Sequence, residues 1–317
     1  MTATDKPLVS IGVPYYNSQN YIIHTLESIR SQTYENIELV LINDCSFDNS
    51  QAIVDEWLSV NSSRFSNVFQ IVNPQNKGLS YSCRELQKAS NGIYFSKLDS
   101  DDIILPNKIT EQVKYLEANA KVAMVYSNTL LIDSKGVLLA ENYFTRQNFA
   151  TVVDNIGPGG LVFHQLLIED FIPNPSVLIR KNILELAGGY DESLFNEDWD
   201  LWLRIAKSYP IHFMKGFYSQ YRIHPESMMR KSSSLVKVYA SCIKALLKHR
   251  DISKQFDKII AGHLYTYTIG MYRFGIIDQN FLKINLSFNK NVKSLMYYIL
   301  GLMNIKINQI PQPAKGA

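Results

Sequence analysis

From Leu8 to Val125 short apolar runs alternate with segments whose apolar residues recur every three or four positions. That is the order of βαβ units building a mostly parallel sheet. Val9 to Val13 reads as the first strand, and a helix from about Asn20 to Gln32 carries Ile22, Ile23, Leu26 and Ile29 on one face. Ile37 to Ile42 is the second strand, and the turn Asn43-Asp44-Cys45-Ser46 leads into a helix over about Ser50 to Val60. Val68 to Val72, a helix over Leu79 to Ala89 and a strand within Gly92 to Leu98 continue the alternation. In such a sheet the ligand crevice lies at the carboxyl ends of the strands. Tyr15-Tyr16-Asn17, Asn43-Asp44 and Asp99 to Asp102 all fall there.

Regularity fades over Leu139 to Phe171, with Gly157-Pro158-Gly159-Gly160 in its middle, which reads as a long loop or lid. A strand over Ser176 to Arg180, a short helix ending at Gly188-Gly189 and a helix from near Asn196 follow. Beyond Ser232 the pattern is helical, with Leu235 to His249 and Ile252 to Phe274 amphipathic. An α/β domain over residues 1–230 and a helical region over 231–317 are expected.

The chain has 317 residues, 46% of them hydrophobic, enough for a sizeable core. A formal charge of +3, with no dense basic run among aromatics, gives no reason to expect a nucleic-acid partner. Cys45, Cys83 and Cys242 are odd in number and far apart, which fits a reducing compartment rather than a disulfide framework or zinc site. The first apolar stretch ends in proline and reads as a strand, not a signal peptide. Leu295 to Met303 falls far short of the roughly 20 residues that span a bilayer. A cytoplasmic location, with peripheral attachment at the inner membrane face as a further option, is expected.

Candidate chemistry concentrates in three places. Asp99-Ser100-Asp101-Asp102 follows an apolar strand, and three carboxylates there repel one another unless a cation sits among them. A hard divalent ion takes oxygen ligands and shares its shell with a ligand's phosphates, so the run reads as a Mg2+ or Mn2+ site for a phosphate-bearing ligand. The alternative is that Asp101 and Asp102 cap the helix entered at Pro106. In Phe195 to Arg204, Glu197 and Asp198 occupy a helix first turn; a carboxylate there could accept an acceptor proton or simply cap the helix. His224, between a strand-like run and Pro225, is a further metal ligand, a phosphate donor or a structural histidine. Gly-x-Gly-x-x-Gly, Gly-x-x-x-x-Gly-Lys-Ser/Thr and Gly-x-Ser-x-Gly are absent, which weakens dinucleotide, P-loop and α/β-hydrolase readings.

The order of motifs resembles the family 2 glycosyltransferases, nucleotide-sugar enzymes with a GT-A fold. The matching segments are Val9 to Asn17, Leu26 to Tyr34, Ile42 to Asp48, Asn76 to Ser80, Leu98 to Asp102, Pro173 to Ser176, Gly188 to Glu192, Glu197 to Arg204 and Tyr221 to His224. The resemblance implies an α/β GT-A fold with a C-terminal helical extension, and an inverting, metal-dependent transfer of a monosaccharide. The donor would be a UDP-sugar or another nucleotide sugar, and the acceptor a hydroxyl of a glycan or lipid-linked molecule in cell-surface polysaccharide synthesis. By the same resemblance Pro14, Tyr16, Asp44, Lys77, Arg84 and Asp99 would hold the nucleotide, with Tyr16 packed on the base and Asp44 bonded to it. Asp101 and His224 would ligate Mn2+ or Mg2+, and Asp198 would be the catalytic base.

Two positions depart from the family pattern. Asn43 stands where many relatives have aspartate, and Cys83-Arg84 where many have Arg-Asn; one step along a helix turns a side chain by about 100°. Rival readings are a sugar-nucleotide nucleotidyltransferase, which would want a basic Gly-rich loop after the first strand, and a non-catalytic carbohydrate-binding protein of the same fold. The C-terminal helices pack on the catalytic domain, join copies into a homo-oligomer or touch a membrane surface.

Overall fold

The computed structural model describes residues 6–140, 142–146, 162–227 and 232–306. They form two compact units. One runs to Ser193 and resumes over Glu197–His224, and the other takes Leu194–Asn196 and the described residues from Pro225 on. The boundary expected near residue 230 lies outside the described residues.

In the first unit β1 (Val9–Tyr15), β2 (Ile37–Asn43), β3 (Asn67–Val72) and β4 (Tyr94–Lys97) pair in parallel in the order β3-β2-β1-β4. Every residue of β1 and β2 is buried, which is why both read as unbroken apolar runs rather than as an alternation. Helices α1 (Ile22–Arg30), α2 (Ser50–Asn61) and α3 (Leu79–Ala89) make the crossovers. Ile22, Leu26, Ile29, Val54 and Trp57 share one core with Val9, Ile11, Val13, Leu39 and Leu41.

Beyond β4 the expectation of a mostly parallel sheet needs correction. The order continues through β8 (Leu178–Arg180), β6 (Met124–Ile132), β9 (Ile211–Arg222) and β5 (Ile103–Ile104), with β7 (Leu138–Ala140) beside β6. β8 runs antiparallel to both β4 and β6, whereas β6 and β9 are parallel. Hydrophobic periodicity marks a strand but carries no direction, and β8 follows a short turn over Asn174–Ser176 rather than a crossover helix.

Two further readings change. The acidic run does not cap a helix, because β5 intervenes before α4 (Lys108–Ala118) and pairs Ile103 with Gln220 and Ile104 with Ser219. The described parts of Leu139 to Phe171 include α5 (Tyr143–Arg146) and α6 (Phe163–Ile168), with the end of β7, rather than only loop. Gly157 to Gly160 lie outside the described residues. The unit is completed by α7 (Lys181–Leu186) and α8 (Glu197–Ala206).

The second unit is helical among the described residues, with α9 (Ser232–Leu247), α10 (Lys254–Arg273), α11 (Gln279–Phe288) and α12 (Val292–Leu302). Ile269, Tyr272, Leu282 and Tyr297 form a small core joining the last three. No described helix is long and apolar enough to cross a membrane.

Candidate active site

Strand register builds the frame of the crevice. Gly12 pairs with Lys97 while Tyr15 pairs with Asn43, so β1 and β2 outrun β4 and their loops stand above its end. Those loops are zipped together. Asp44 N donates to Tyr15 O at 2.9 Å, Phe47 N to Asn17 Oδ1 at 3.0 Å and Ser18 N to Ser50 Oγ at 2.7 Å. Tyr16, 43% exposed, meets Phe47, 82% exposed, edge to face at 5.9 Å between ring centres. Exposed rings at strand ends present π faces to a planar ligand. Phe47 went unforeseen as a site residue; its signal was a large aromatic alone in a polar turn.

Asp44 is buried and already engaged. Its Oδ1 accepts from Asn73 Nδ2 and from Lys77 N, both at 2.8 Å, and its Oδ2 from Gly78 N at 2.7 Å. Gly78 has φ of +92°, the left-handed region that lets the chain turn back onto this carboxylate. Oδ2 keeps a second lone pair for a ligand N–H. Asn43 Oδ1 accepts from Ser46 N at 2.8 Å while its Nδ2 donates to Gln51 Oε1 at 2.7 Å. The amide at this departure therefore closes the turn that carries Asp44.

The other expected nucleotide contacts divide. The Lys77 ammonium lies 4.6 Å above the Tyr81 ring. Pro14 is a buried strand residue opposite Ile42. Arg84 Nη1 donates to the carbonyls of Gly188 at 2.7 Å and Tyr190 at 2.9 Å, so its guanidinium holds a turn together. Cys83, one step earlier on α3, faces the acidic centre, with Sγ 3.6 Å from Glu197 Oε1.

At that centre the acidic run separates into three roles. Asp99 Oδ1 lies 3.1 Å from Lys97 Nζ, and its Oδ2 accepts from Asn174 Nδ2 at 2.8 Å. Asp101 Oδ2 lies 2.9 Å from His224 Nε2, which brings together across 123 residues the two side chains expected to ligate a metal. Asp102 accepts from Arg222 N at 2.9 Å through Oδ1, and its carbonyl accepts from Thr25 Oγ1 at 2.8 Å. It braces the loop against β9 and α1. Burial, and then the charges of Asp101 and Asp99, push its carboxyl well above the usual range.

Lys97 bridges this loop to α8. Its side chain is 2% exposed, and Nζ lies 2.7 Å from Glu197 Oε1 as well as near Asp99. Burial alone would push the ammonium down, but the charges of Asp99 and Glu197 outweigh it and hold it well above the ordinary lysine value. Glu197 is thus a buried structural partner, and Asp198 beside it is only half-buried. Asp198 Oδ1 accepts from Trp199 N at 2.8 Å. Burial first, and then the charge of Glu197, push its carboxyl up to about 6, into the range where a base works near neutral pH. Asp170, just after α6, is raised by burial and by Asp198, and its Oδ1 has no hydrogen-bond partner among the described residues. Nothing periodic in the sequence marked Asp170 or Lys97.

Among the described residues no group of three or more His, Cys, Asp or Glu side chains is arranged to hold a metal ion. Asp101 with His224 supplies two donors, one a hard oxygen, at the mouth of the crevice. One or two protein ligands are what Mg2+ or Mn2+ use when substrate phosphates complete the shell, so the pair fits such an ion as half a site.

A doubly wound sheet whose strand ends gather an aromatic pair, an anchored carboxylate and an acidic run is the GT-A kind of α/β fold. The structure is similar to S. aureus TarS 1–349 in complex with UDP, with a TM-score of 0.60 at 17% identity over 93% of this chain and 81% of that one. It is also similar to the mannosyltransferase PcManGT from Pyrobaculum calidifontis in complex with GDP-Man and Mn2+, with a TM-score of 0.60 at 14% identity over 95% and 86%. The sequence profile of Glycosyl transferase family 2 matches residues 10–150. An uncharacterized glycosyltransferase of Rickettsia prowazekii is 30% identical over 266 residues, covering 83% of this chain and 78% of that protein. The chain belongs to the family 2 glycosyltransferases. It spans 36% of the length of a Rickettsia felis glycosyltransferase, 32% identical over 230 residues, and 31% of the chondroitin synthase of Escherichia coli, 25% identical over 237.

Proposed function

We propose that the protein transfers a monosaccharide from a UDP-sugar to a hydroxyl of a glycan or lipid-linked acceptor, with inversion. The observation that carries this reading is the Lys97 bridge, which joins Asp99 to Glu197 and so sets Asp198 beside the acidic run. Tyr16 and Phe47 offer the stacking surface for the base, and the free lone pair of Asp44 accepts its imide N–H. Asp99, oriented by Lys97 and Asn174, faces the ribose and diphosphate side. A divalent cation held by Asp101 and His224 would neutralise the charge of the departing nucleoside diphosphate. Asp198 takes the proton from the acceptor hydroxyl as its oxygen attacks the anomeric carbon from the face opposite the leaving group. UDP-bound and UDP-GlcNAc-bound TarS and the GDP-Man- and Mn2+-bound mannosyltransferase support a nucleotide-sugar donor.

Incubating the protein with a panel of UDP-sugars, Mn2+ and candidate acceptors, and assigning the anomeric configuration of product by NMR, tests the reaction. Retention of configuration would refute it. Donor binding is tested apart from turnover, by calorimetry with UDP. Asp101→Asn is expected to remove most of the Mn2+-dependent gain in UDP affinity, and His224→Ala a smaller part, since an anionic oxygen is the stronger of the two donors for a hard divalent cation. Mn2+-independent UDP affinity in the parent would overturn the pair as a metal site.

The acid limb of the rate profile follows from Asp198. The base must be ionised to act, so kcat/KM is expected to fall about tenfold per pH unit below about 6. A profile flat down to pH values near the ordinary aspartate range would remove Asp198 from that role.

A further inference from the structure

Helix α12 is oriented the wrong way round for a globular protein. It buries Ser294, Tyr297 and Gly301, and turns outward Val292, Leu295, Met296, Ile299 and Leu302, with Met303 following. Those apolar residues recur at intervals of three and four, so they form one continuous ridge about 16 Å long. The orientation is fixed rather than loose. A Cβ at Gly301 would lie 2.5 Å from Leu282 Cδ1, so a larger residue would have to push that buried side chain aside for α12 to settle this closely on α11. Asn285 Nδ2 donates to Ser294 Oγ at 3.3 Å, and Asn291 Oδ1 caps the helix at Ser294 N at 2.9 Å.

Along α11, α12 and the turn between them the charges have one sign. From Gln279 to Lys306 there are four lysines, Lys283, Lys290, Lys293 and Lys306, and no aspartate or glutamate. All four are exposed, with Lys290 and Lys293 at one end of the ridge and Lys306 at the other. We propose that the outward face of α12 docks on an anionic lipid surface, its aliphatic ridge entering the headgroup boundary and its flanking lysines meeting lipid phosphates and carboxylates. An exposed aliphatic face flanked along the chain by lysines is the pattern of helices that lie in the plane of a membrane. A second copy of the chain is the poorer occupant, because pairing two such ridges sets lysines against lysines. The surface goes beyond the proposed transfer reaction and involves none of its residues.

Co-sedimentation of the full chain with phosphatidylcholine vesicles, with and without phosphatidylserine, tests this. Binding is expected only where phosphatidylserine is present and is expected to weaken with salt. Leu295→Gln with Ile299→Gln is expected to lower vesicle affinity by about tenfold or more, and Lys290→Gln with Lys293→Gln by about fivefold per charge. Both variants should keep the parent's calorimetric UDP affinity and helical circular dichroism. Should the aliphatic pair disturb folding, the lysine pair and the salt series decide. Equal binding by the lysine variant, equal binding to neutral vesicles, or no binding by the parent would overturn the inference. So would a concentration-dependent dimer abolished by the aliphatic variant. Failure here leaves UDP affinity intact, and failure of the donor reading leaves vesicle binding intact.

Discussion

Asp198→Asn is expected to lower the transfer rate by about 10²–10⁴-fold, the usual contribution of a positioned general base, while UDP affinity stays near that of the parent. The carboxylate touches no group assigned to the nucleotide, and an amide oxygen can still accept from Trp199 N as Oδ1 does now. The variant should also fold at least as well. Burial and Glu197 hold the Asp198 carboxyl at about 6, so between the ordinary aspartate value and about 6 the folded protein binds more protons than the unfolded one. Parent stability therefore falls as pH rises through that window. Asparagine carries no such penalty, so its advantage grows across the window and is complete above pH about 6. Denaturation at two pH values beside single-turnover kinetics checks both halves. Transfer by the variant at the parental rate would assign the proton to another group.

Lys97→Met is expected to be the most damaging single change to the structure. It strips the cation from between Asp99 and Glu197, and breaking a buried pair by removing one partner costs about 3–5 kcal/mol. Asp99 keeps Asn174, and among the described residues Glu197 keeps only the weak thiol donor of Cys83. A second readout separates electrostatics from general unfolding. The Lys97 charge lowers the Asp198 carboxyl against the larger effects of burial and Glu197. Its loss should therefore move the acid limb above pH about 6. Adding Glu197→Gln to Lys97→Met should recover part of the stability and bring the limb back down, since one repelling carboxylate has gone. Unchanged denaturation by the single variant would show that the bridge does little.

The parallel half of the sheet was legible because buried strands and amphipathic helices leave periodic marks in β1 to β4 and α1 to α3. Asp101 and His224 were legible as separate residues, and only folding shows Oδ2 and Nε2 at 2.9 Å. What escaped has no period. The reversed direction of β8 is set by pairing with two neighbours rather than by its three residues. Lys97 reads as an ordinary polar position at a strand end, because its importance lies in joining Asp99, two residues on, to Glu197, a hundred residues on. The mismatch at Cys83-Arg84 was visible, but where each side chain goes was not. Arg84 serves a turn, and the thiol occupies the inward position.

The turn built on Asn43 has a consequence for descent. Gln51 Oε1 accepts from Asn43 Nδ2 at 2.7 Å and from Tyr15 OH at 3.1 Å, while Gln51 Nε2 donates to Asp55 at 2.8 Å. Donation therefore runs one way through the group, and an aspartate at 43 would set an acceptor against Gln51 Oε1 or, with that amide turned over, set Oε1 against Asp55. The two positions are expected to change together: relatives with aspartate at 43 should carry a donor such as arginine or lysine at 51, and those with asparagine should keep glutamine.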